Sequence, residues 1–540
     1  MKRCVLTLVL ISVLPIYSFA QISAGGTPVS FSLNVVDARM DRIPVVTMPM
    51  VDIQALHEED AKIMARGMED APKPFRFGYA ISVSIDIKRD GRRTDLPNGS
   101  RLWMMKIHSA DAYSINLIFD QFRLSEGSKF FIYNEDKTMV LGAFTPETSN
   151  NPHNVFATDL LQGNTIVLEY YEPKYSDDGV INISKVIHGY IDTFSSEFCW
   201  SARCNIDVNC ELGNNWRNQQ RAIVLILVND NTSLCTGCLM NNARQDLTPY
   251  ILTARHCYFA NNGWFQTVNP ATNIFRFRFY SGISSNLSFS TTGADLLAQL
   301  ISTDFALLRL WSQPPAYWGL YYAGWDRATT PAQNTTALHH PMGDRMKISH
   351  DRSSATAVSW GGAVRQNHWR VTFDEGIVQF GSSGSPLFNQ YGRVVGQLQG
   401  NQQNRCQRED NDCFCRQTPR AEYGRFDVSW IGAGDADEHR MRLSNWLDPD
   451  NTNIGFLNGC ASGLTHQAVR ASREVIGCQD LIVQNITVSN GATLTLRAIG
   501  DINVENVTVT SNSGLIIYAG GRVRLGDGFR AESGSTLSIR

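Results

Sequence analysis

Apolar residues in this chain come in short runs broken by polar turns, and no other feature restricts the fold as much. Runs at 79–87, 101–107, 113–119, 129–133 and 165–171 follow one another at a spacing that predicts a β-sandwich or jelly roll. Between Cys204 and Gly459 further strands are expected, among them 222–228, 250–253, 305–310 and 394–398. In the alternating stretch Phe275-Arg276-Phe277-Arg278-Phe279 the two arginines read as a solvent face. Helical spacing is clear only where Met441, Leu443, Trp446 and Leu447 precede Pro449, so a barrel unit closed by one terminal helix is expected. Near Asp480 the texture changes again. Runs at 493–496, 515–518 and 536–539 each follow a turn at Gly491, Gly514 or Gly534, spaced 23 and 20 residues apart. That period predicts a small solenoid-like module of stacked strands.

The first 20 residues stand apart. Lys2 and Arg3 precede an apolar run from Val5 to Tyr17, and Ser18-Phe19-Ala20 supplies the small-residue pattern before Gln21. This is the form of a cleaved secretory signal, and the run is shorter than the roughly 20 residues of a membrane span. No later segment holds 18 uninterrupted apolar residues, so no spanning segment is expected and the chain reads as secreted or extracellular. Of the 12 cysteines, Cys4 falls in this leader and the other eleven lie between Cys199 and Cys478. In an oxidising compartment they read as disulfides rather than metal ligands, Cys413-Phe414-Cys415 included, with one thiol left over by the odd count. Cys460 and Cys478 flank the junction with the last module and are a candidate pair. With 48 Lys and Arg against 51 Asp and Glu, the net charge of -3 offers no field for nucleic acid or an anionic membrane.

Three places carry chemistry. Thr253-Ala254-Arg255-His256-Cys257 puts a histidine at the end of a strand. Asp304 heads the apolar strand 305–310, where a carboxylate is costly to bury without a partner. Gly381-Ser382-Ser383-Gly384-Ser385-Pro386 makes a tight turn of small residues that exposes backbone N–H groups and a hydroxyl. The order His, Asp, Ser is the order of chymotrypsin and the reverse of the α/β-hydrolases. The esterase pattern Gly-x-Ser-x-Gly fails because Ser385 occupies its final position, and zinc, phosphate-loop and dinucleotide motifs are missing. The adjacent His339 and His340 point apart on a strand and read as structural, so neither metal nor cofactor is expected.

Several further words then fall into one order: Cys204-Asn205-Ile206-Asp207-Val208 with Cys210, Cys235-Thr236-Gly237, the His256 motif, Ala323-Gly324-Trp325-Asp326-Arg327, His339-His340-Pro341, Trp360-Gly361-Gly362, the Ser383 loop, Tyr423-Gly424-Arg425 and Leu443-Ser444-Asn445-Trp446-Leu447-Asp448-Pro449. Through them residues 201–449 resemble the bacterial lysyl endopeptidases, a branch of the trypsin-like serine proteases. Residues 75–190 resemble the β domains that precede such proteases. Gly526-Asp527-Gly528-Phe529 followed by Gly534-Ser535 resembles the tails of secreted proteins in the same bacteria. The resemblance implies a mainly β chain: signal 1–20, β-sandwich-like prodomain 21–198, two-barrel trypsin-like protease 199–460 and repetitive β module 461–540. That last module is expected to attach or sort the protein at the cell surface.

The same resemblance implies Ser383 as nucleophile, His256 as general base and acid, Asp304 as the group that fixes the histidine tautomer, and the N–H groups of Gly381 and Ser383 as oxyanion hole. It implies disulfides Cys235–Cys257 and Cys204–Cys406. Polypeptides are the expected substrates, cut through an acyl-enzyme after removal of the prodomain between about Ile191 and Arg203. The alternative is an inactive protease-like fold kept for binding or adhesion. Specificity departs from the family at three positions. Ala421 stands where the family has the Asp that binds the substrate lysine, Gln379 replaces a second carboxylate, and Gln399 replaces the His near the retained Trp360. A lysine ammonium in such a pocket would be an unpaired buried charge, so an uncharged side chain is expected there. Glu422 would rescue basic recognition only by turning inward, against the alternation of a strand.

Overall fold

The computed structural model describes residues 25–32, 43–65, 74–194, 201–259, 270–281, 289–360, 365–400, 420–432 and 439–540. The expected leader lies outside them, as do Cys199, Cys406, Cys413 and Cys415, and with Cys406 the proposed partner of Cys204.

Two sheets face each other in the N-terminal unit. One is built on Arg101–His108, Thr165–Glu172 and Lys129–Asn134, the other on Ser114–Arg123, Val180–Gly189 and Gly78–Asp86. Inward residues of both, such as Met105, Ile132 and Leu168 from one and Leu117, Phe119 and Val186 from the other, share one apolar core. This is the sandwich that the strand spacing predicts. The helix Ile53–Ala65 has no counterpart in that reading. Asp52 caps it by accepting the Ala55 N–H at 3.0 Å, and Leu56 and Asp60, one turn apart, are its buried face.

In the central unit one sheet runs through Ile274–Phe277, Ile223–Val228, Ser233–Met240, Tyr250–Ala254 and Phe305–Leu310. The second runs through Thr335–His339, Pro386–Asn389, Val394–Gly400, Arg420–Arg425 and His368–Thr372. These are the two barrels. The closing helix is reduced to the 3-10 turn His439–Met441 and the single turn Ser444–Leu447. Leu443 and Leu447 bury fully from that one turn, so packing needs no longer helix.

The C-terminal strands stack in parallel. Leu494, Leu515 and Leu537 stand in one column, and Leu481, Ile502 and Val523 in another, as a solenoid requires. Tyr321–Tyr322 pairs with the first solenoid strand, Cys460–Val469, and one apolar cluster runs without a break from Phe275 to Ile517.

Arg276 and Arg278 overturn the solvent-face reading. Arg276 is 7% exposed and pairs with Asp159 of the N-terminal unit, its Nε donating at 3.0 Å. Arg278 is 1% exposed and donates to Trp318 O at 3.1 Å and Thr465 Oγ1 at 3.2 Å of the solenoid. Alternation placed both on the outer face of a barrel strand, but neighbouring units cover that face. The N-terminal unit also adds Phe75–Arg76 as a strand beside Ser233–Leu234.

Candidate active site

His256 leaves the barrel where Tyr250–Ala254 ends in the turn Arg255–Cys257, and the Cys235–Cys257 disulfide ties that turn to the neighbouring strand. The pairing of Ala254 with Phe305 sets Asp304 beside it by register alone. Asp304 O accepts the Arg255 N–H at 2.6 Å, and Oδ1 accepts the His256 N–H at 2.9 Å. His256 Nδ1 lies 2.6 Å from Asp304 Oδ2. Because an ionised carboxylate only accepts, Nδ1 carries the proton and Nε2 presents its lone pair.

Ser383 sits in a turn between two left-handed glycines, Gly381 at φ +84° and Gly384 at φ +83°. The turn is sewn to the first barrel: Ser383 O accepts the Thr236 N–H at 2.8 Å, and Gly381 O accepts from Thr236 Oγ1 at 2.8 Å. A Cβ on Gly384 would lie 2.2 Å from Thr253 Oγ1 and 2.6 Å from Ala254 N, so this glycine lets the serine loop approach the strand that carries His256. The N–H groups of Ser382, Gly384 and Ser385 donate to Gln379 O, Leu398 O and Ser382 O, whereas those of Gly381 and Ser383 meet no acceptor among the described residues. Ser383 Oγ and His256 Nε2 are both buried and neither is hydrogen-bonded. Of the neighbouring serines, Ser382 Oγ bonds His339 Nδ1 at 2.8 Å, and Ser385 is buried beside Tyr423.

His339 and His340 serve packing. His339 Nε2 meets Ser349 Oγ at 3.1 Å and His340 Nδ1 donates to Asp344 O at 2.9 Å. Burial, with the neighbouring His340 and Lys347 adding to it, pushes His339 down to about 3. Burial likewise pushes His340 down to about 4.

The four expected specificity residues are dispersed. Ala421 is fully buried in an apolar cluster with Val378, Leu398 and Tyr423. Gln379 is drawn away from it, its Oε1 accepting from Ala202 N at 2.9 Å and Asn205 Nδ2 at 2.6 Å. Trp360 lies 5.7 Å, ring to ring, from His368, and Gln399 borders the same imidazole. Glu422 is buried in an ion pair with Arg370, Nε to Oε1 2.7 Å, on the strand face opposite Ala421 and Tyr423. His368 went unnoticed in the sequence. The signal that finds it is strand pairing, since His368 stands opposite Gly424 of Tyr423-Gly424-Arg425.

The family model of the lysyl endopeptidase C-terminal domain matches residues 198–415. A lysyl endopeptidase of Pseudomonas aeruginosa is 26% identical over 374 residues, covering 63% of this chain and 78% of that protein. Among solved structures, a thermostable serine protease from an extremophilic microorganism superposes at TM-score 0.27 with 14% identity, over 38% of this chain and 91% of that one. Deg5 does so at TM-score 0.26 with 14% identity, over 41% and 91%. Residues 198–415 are thus similar to the C-terminal domain of the lysyl endopeptidases, and the chain is a serine endopeptidase.

Proposed function

We propose that the chain cuts polypeptides through an acyl-enzyme, with Ser383 as nucleophile, His256 as base and then acid, and Asp304 orienting the imidazole. The observation that carries this is the 2.6 Å bond from His256 Nδ1 to Asp304 Oδ2, which leaves Nε2 as the basic nitrogen on the side where no protein group bonds it. In the reaction Nε2 takes the Ser383 proton as Oγ attacks the carbonyl carbon, and returns it to the leaving amine. The unengaged N–H groups of Gly381 and Ser383 receive the developing oxyanion, a contribution of about 3 to 4 kcal/mol per donor in comparable enzymes.

The burial of Ser383 and the docked N-terminal unit support a latent precursor. Cutting between about Ile191 and Arg203 releases activity, and the solenoid serves to attach or sort the exported enzyme. The two disulfides suit an oxidising compartment. Ala421 in an apolar cluster and Glu422 turned to Arg370 support a primary pocket for an uncharged side chain.

A fluorophosphonate probe on the processed enzyme should label wild type and spare Ser383→Ala. Labelling of the alanine variant would remove the nucleophile assignment, and no labelling of either would favour the binding fold. Mass spectrometry of a digested, denatured protein mixture should show cuts after uncharged residues, and dominant cuts after Lys or Arg would overturn the pocket reading.

A further inference from the structure

Asp304 belongs to the first barrel, yet the turn that presents it is gripped from the second. Ser302 O accepts from Asn367 Nδ2. Thr303 O accepts from Gln397 Nε2 at 2.6 Å, and Ser429 Oγ donates to Thr303 Oγ1 at 2.9 Å. Gln397 comes from the strand Val394–Gly400, Ser429 from the helix Phe426–Ile431, and Asn367 directly precedes the strand His368–Thr372. All three donors and Thr303 are buried, Asn367 at 3% exposure being the most open. Gly424 admits the approach, since a Cβ there would lie 1.9 Å from Thr303 O. Within its own barrel Asp304 donates its N–H to Ile301 O at 3.2 Å and accepts the Arg255 N–H at 2.6 Å and the His256 N–H at 2.9 Å, while it holds a left-handed φ of +56°. A non-glycine residue keeps that conformation where its surroundings over-determine it.

Asn367 reaches further. Its Oδ1 accepts the Trp360 N–H at 3.0 Å and faces His368 Nδ1 at 2.9 Å, so one amide ties the Trp360–His368 ring pair to the Asp304 turn.

We propose that Asn367, Gln397 and Ser429 are positioning residues, a clamp across the two barrels that holds Asp304 in register with His256. The inference rests on the reading of Asp304 as the group that orients His256. Losing a donor lets the turn relax and lengthens the Asp304–His256 bond. A displacement of about 1 Å at such a site costs on the order of a hundredfold in rate.

The test uses active enzyme matured from the full chain, as Asn367→Ala, Gln397→Ala, Ser429→Ala and Ser429→Thr. For each variant kcat, KM, thermal midpoint and the downfield proton resonance of the His256 Nδ1–H···Asp304 bond are measured. The alanine variants should lose about tenfold to a hundredfold in kcat, with KM changed by less than about threefold, and the resonance should move upfield or vanish. Ser429→Thr, which keeps the hydroxyl, should restore both. Lower thermal midpoints with kcat and resonance unchanged would overturn the clamp and leave these residues as packing. Asp304→Asn, measured alongside, separates the two levels. If it keeps wild-type kcat, the orienting role of Asp304 is wrong; if it is crippled while the clamp variants are not, only the clamp falls.

Discussion

At Gly384 a single hydrogen decides whether the site assembles. A methyl there meets Thr236 O at 2.4 Å and Ala254 N at 2.6 Å, both backbone, so neither neighbour has a rotamer with which to yield. The left-handed φ adds about 1–3 kcal/mol of strain for any side chain. Gly384→Ala is therefore expected to lose at least about a hundredfold in kcat/KM, measured on a peptide substrate. Ala421 supplies the complementary experiment. Ala421→Asp places a carboxylate among Val378, Leu398 and Tyr423, where burial raises its pKa in the absence of a cation. The variant is expected to be less stable than wild type and to gain cleavage after Lys, both readable by thermal denaturation and substrate profiling. Unchanged cleavage sites would place the pocket elsewhere.

Individual elements carry charge states that set how stability depends on pH. The strand Thr335–His339 and the turn after it bury His339 and His340, and the strand His368–Thr372 buries His368. Burial pushes His368 down to about 4, against the pull of the nearby Asp304 carboxylate and a Gln399 hydrogen bond. All three imidazoles are thus neutral in the fold, whereas each takes up a proton near pH 6.5 once unfolded. Below pH 6.5 the unfolded chain binds more protons, so stability is lost as pH falls through that value, and the loss levels off only near pH 3 to 4. Between pH 6.5 and 5, where ordinary carboxylates contribute little, denaturation free energy should drop with pH, and His368→Gln should reduce the slope by about one proton. A slope unchanged in that variant would mean His368 is solvated.

For the whole molecule the open matter is where the protease ends. The solenoid shares the protease core, and Arg221, 2% exposed, donates to Gly319 O at 2.8 Å and to Gly463 O at 2.7 Å across the junction. Removing residues 460–540 uncovers that core and strands the Arg221 and Arg278 guanidiniums. A chain stopped at Gly459 is expected to be insoluble or to melt well below the full chain, by calorimetry or circular dichroism. A soluble, fully active truncation would make the solenoid a removable tail. The N-terminal unit is held differently, by a two-residue strand, the Arg276–Asp159 pair and an apolar layer in which Phe75 and Phe77 meet Leu234 and Met342.

Strand content and the Cys460–Cys478 pair at the module junction were legible because each depends on local periodicity or on position along the chain, whereas the Cys235–Cys257 pair was legible only through the resemblance to a known family. Alternation placed Ala421 and Glu422 on opposite faces before any coordinates did, since a pleat fixes that for every strand. The same rule misled at Arg276 and Arg278, because periodicity reports two faces and not what covers them. Helix Ile53–Ala65 was not legible because, among its described side chains, only Leu56 and Asp60 are buried, too few to print a helical period. Asn367, Gln397, Ser429 and His368 carry no motif at all. The contacts that Asn367, Gln397 and Ser429 make with the Asp304 turn reach more than 60 residues along the chain and form only when two barrels close on one another. The sequence therefore determined which side chains are available for the chemistry, through local pattern. Only the tertiary structure decided how they are held, because the groups that hold them meet through space and not through sequence.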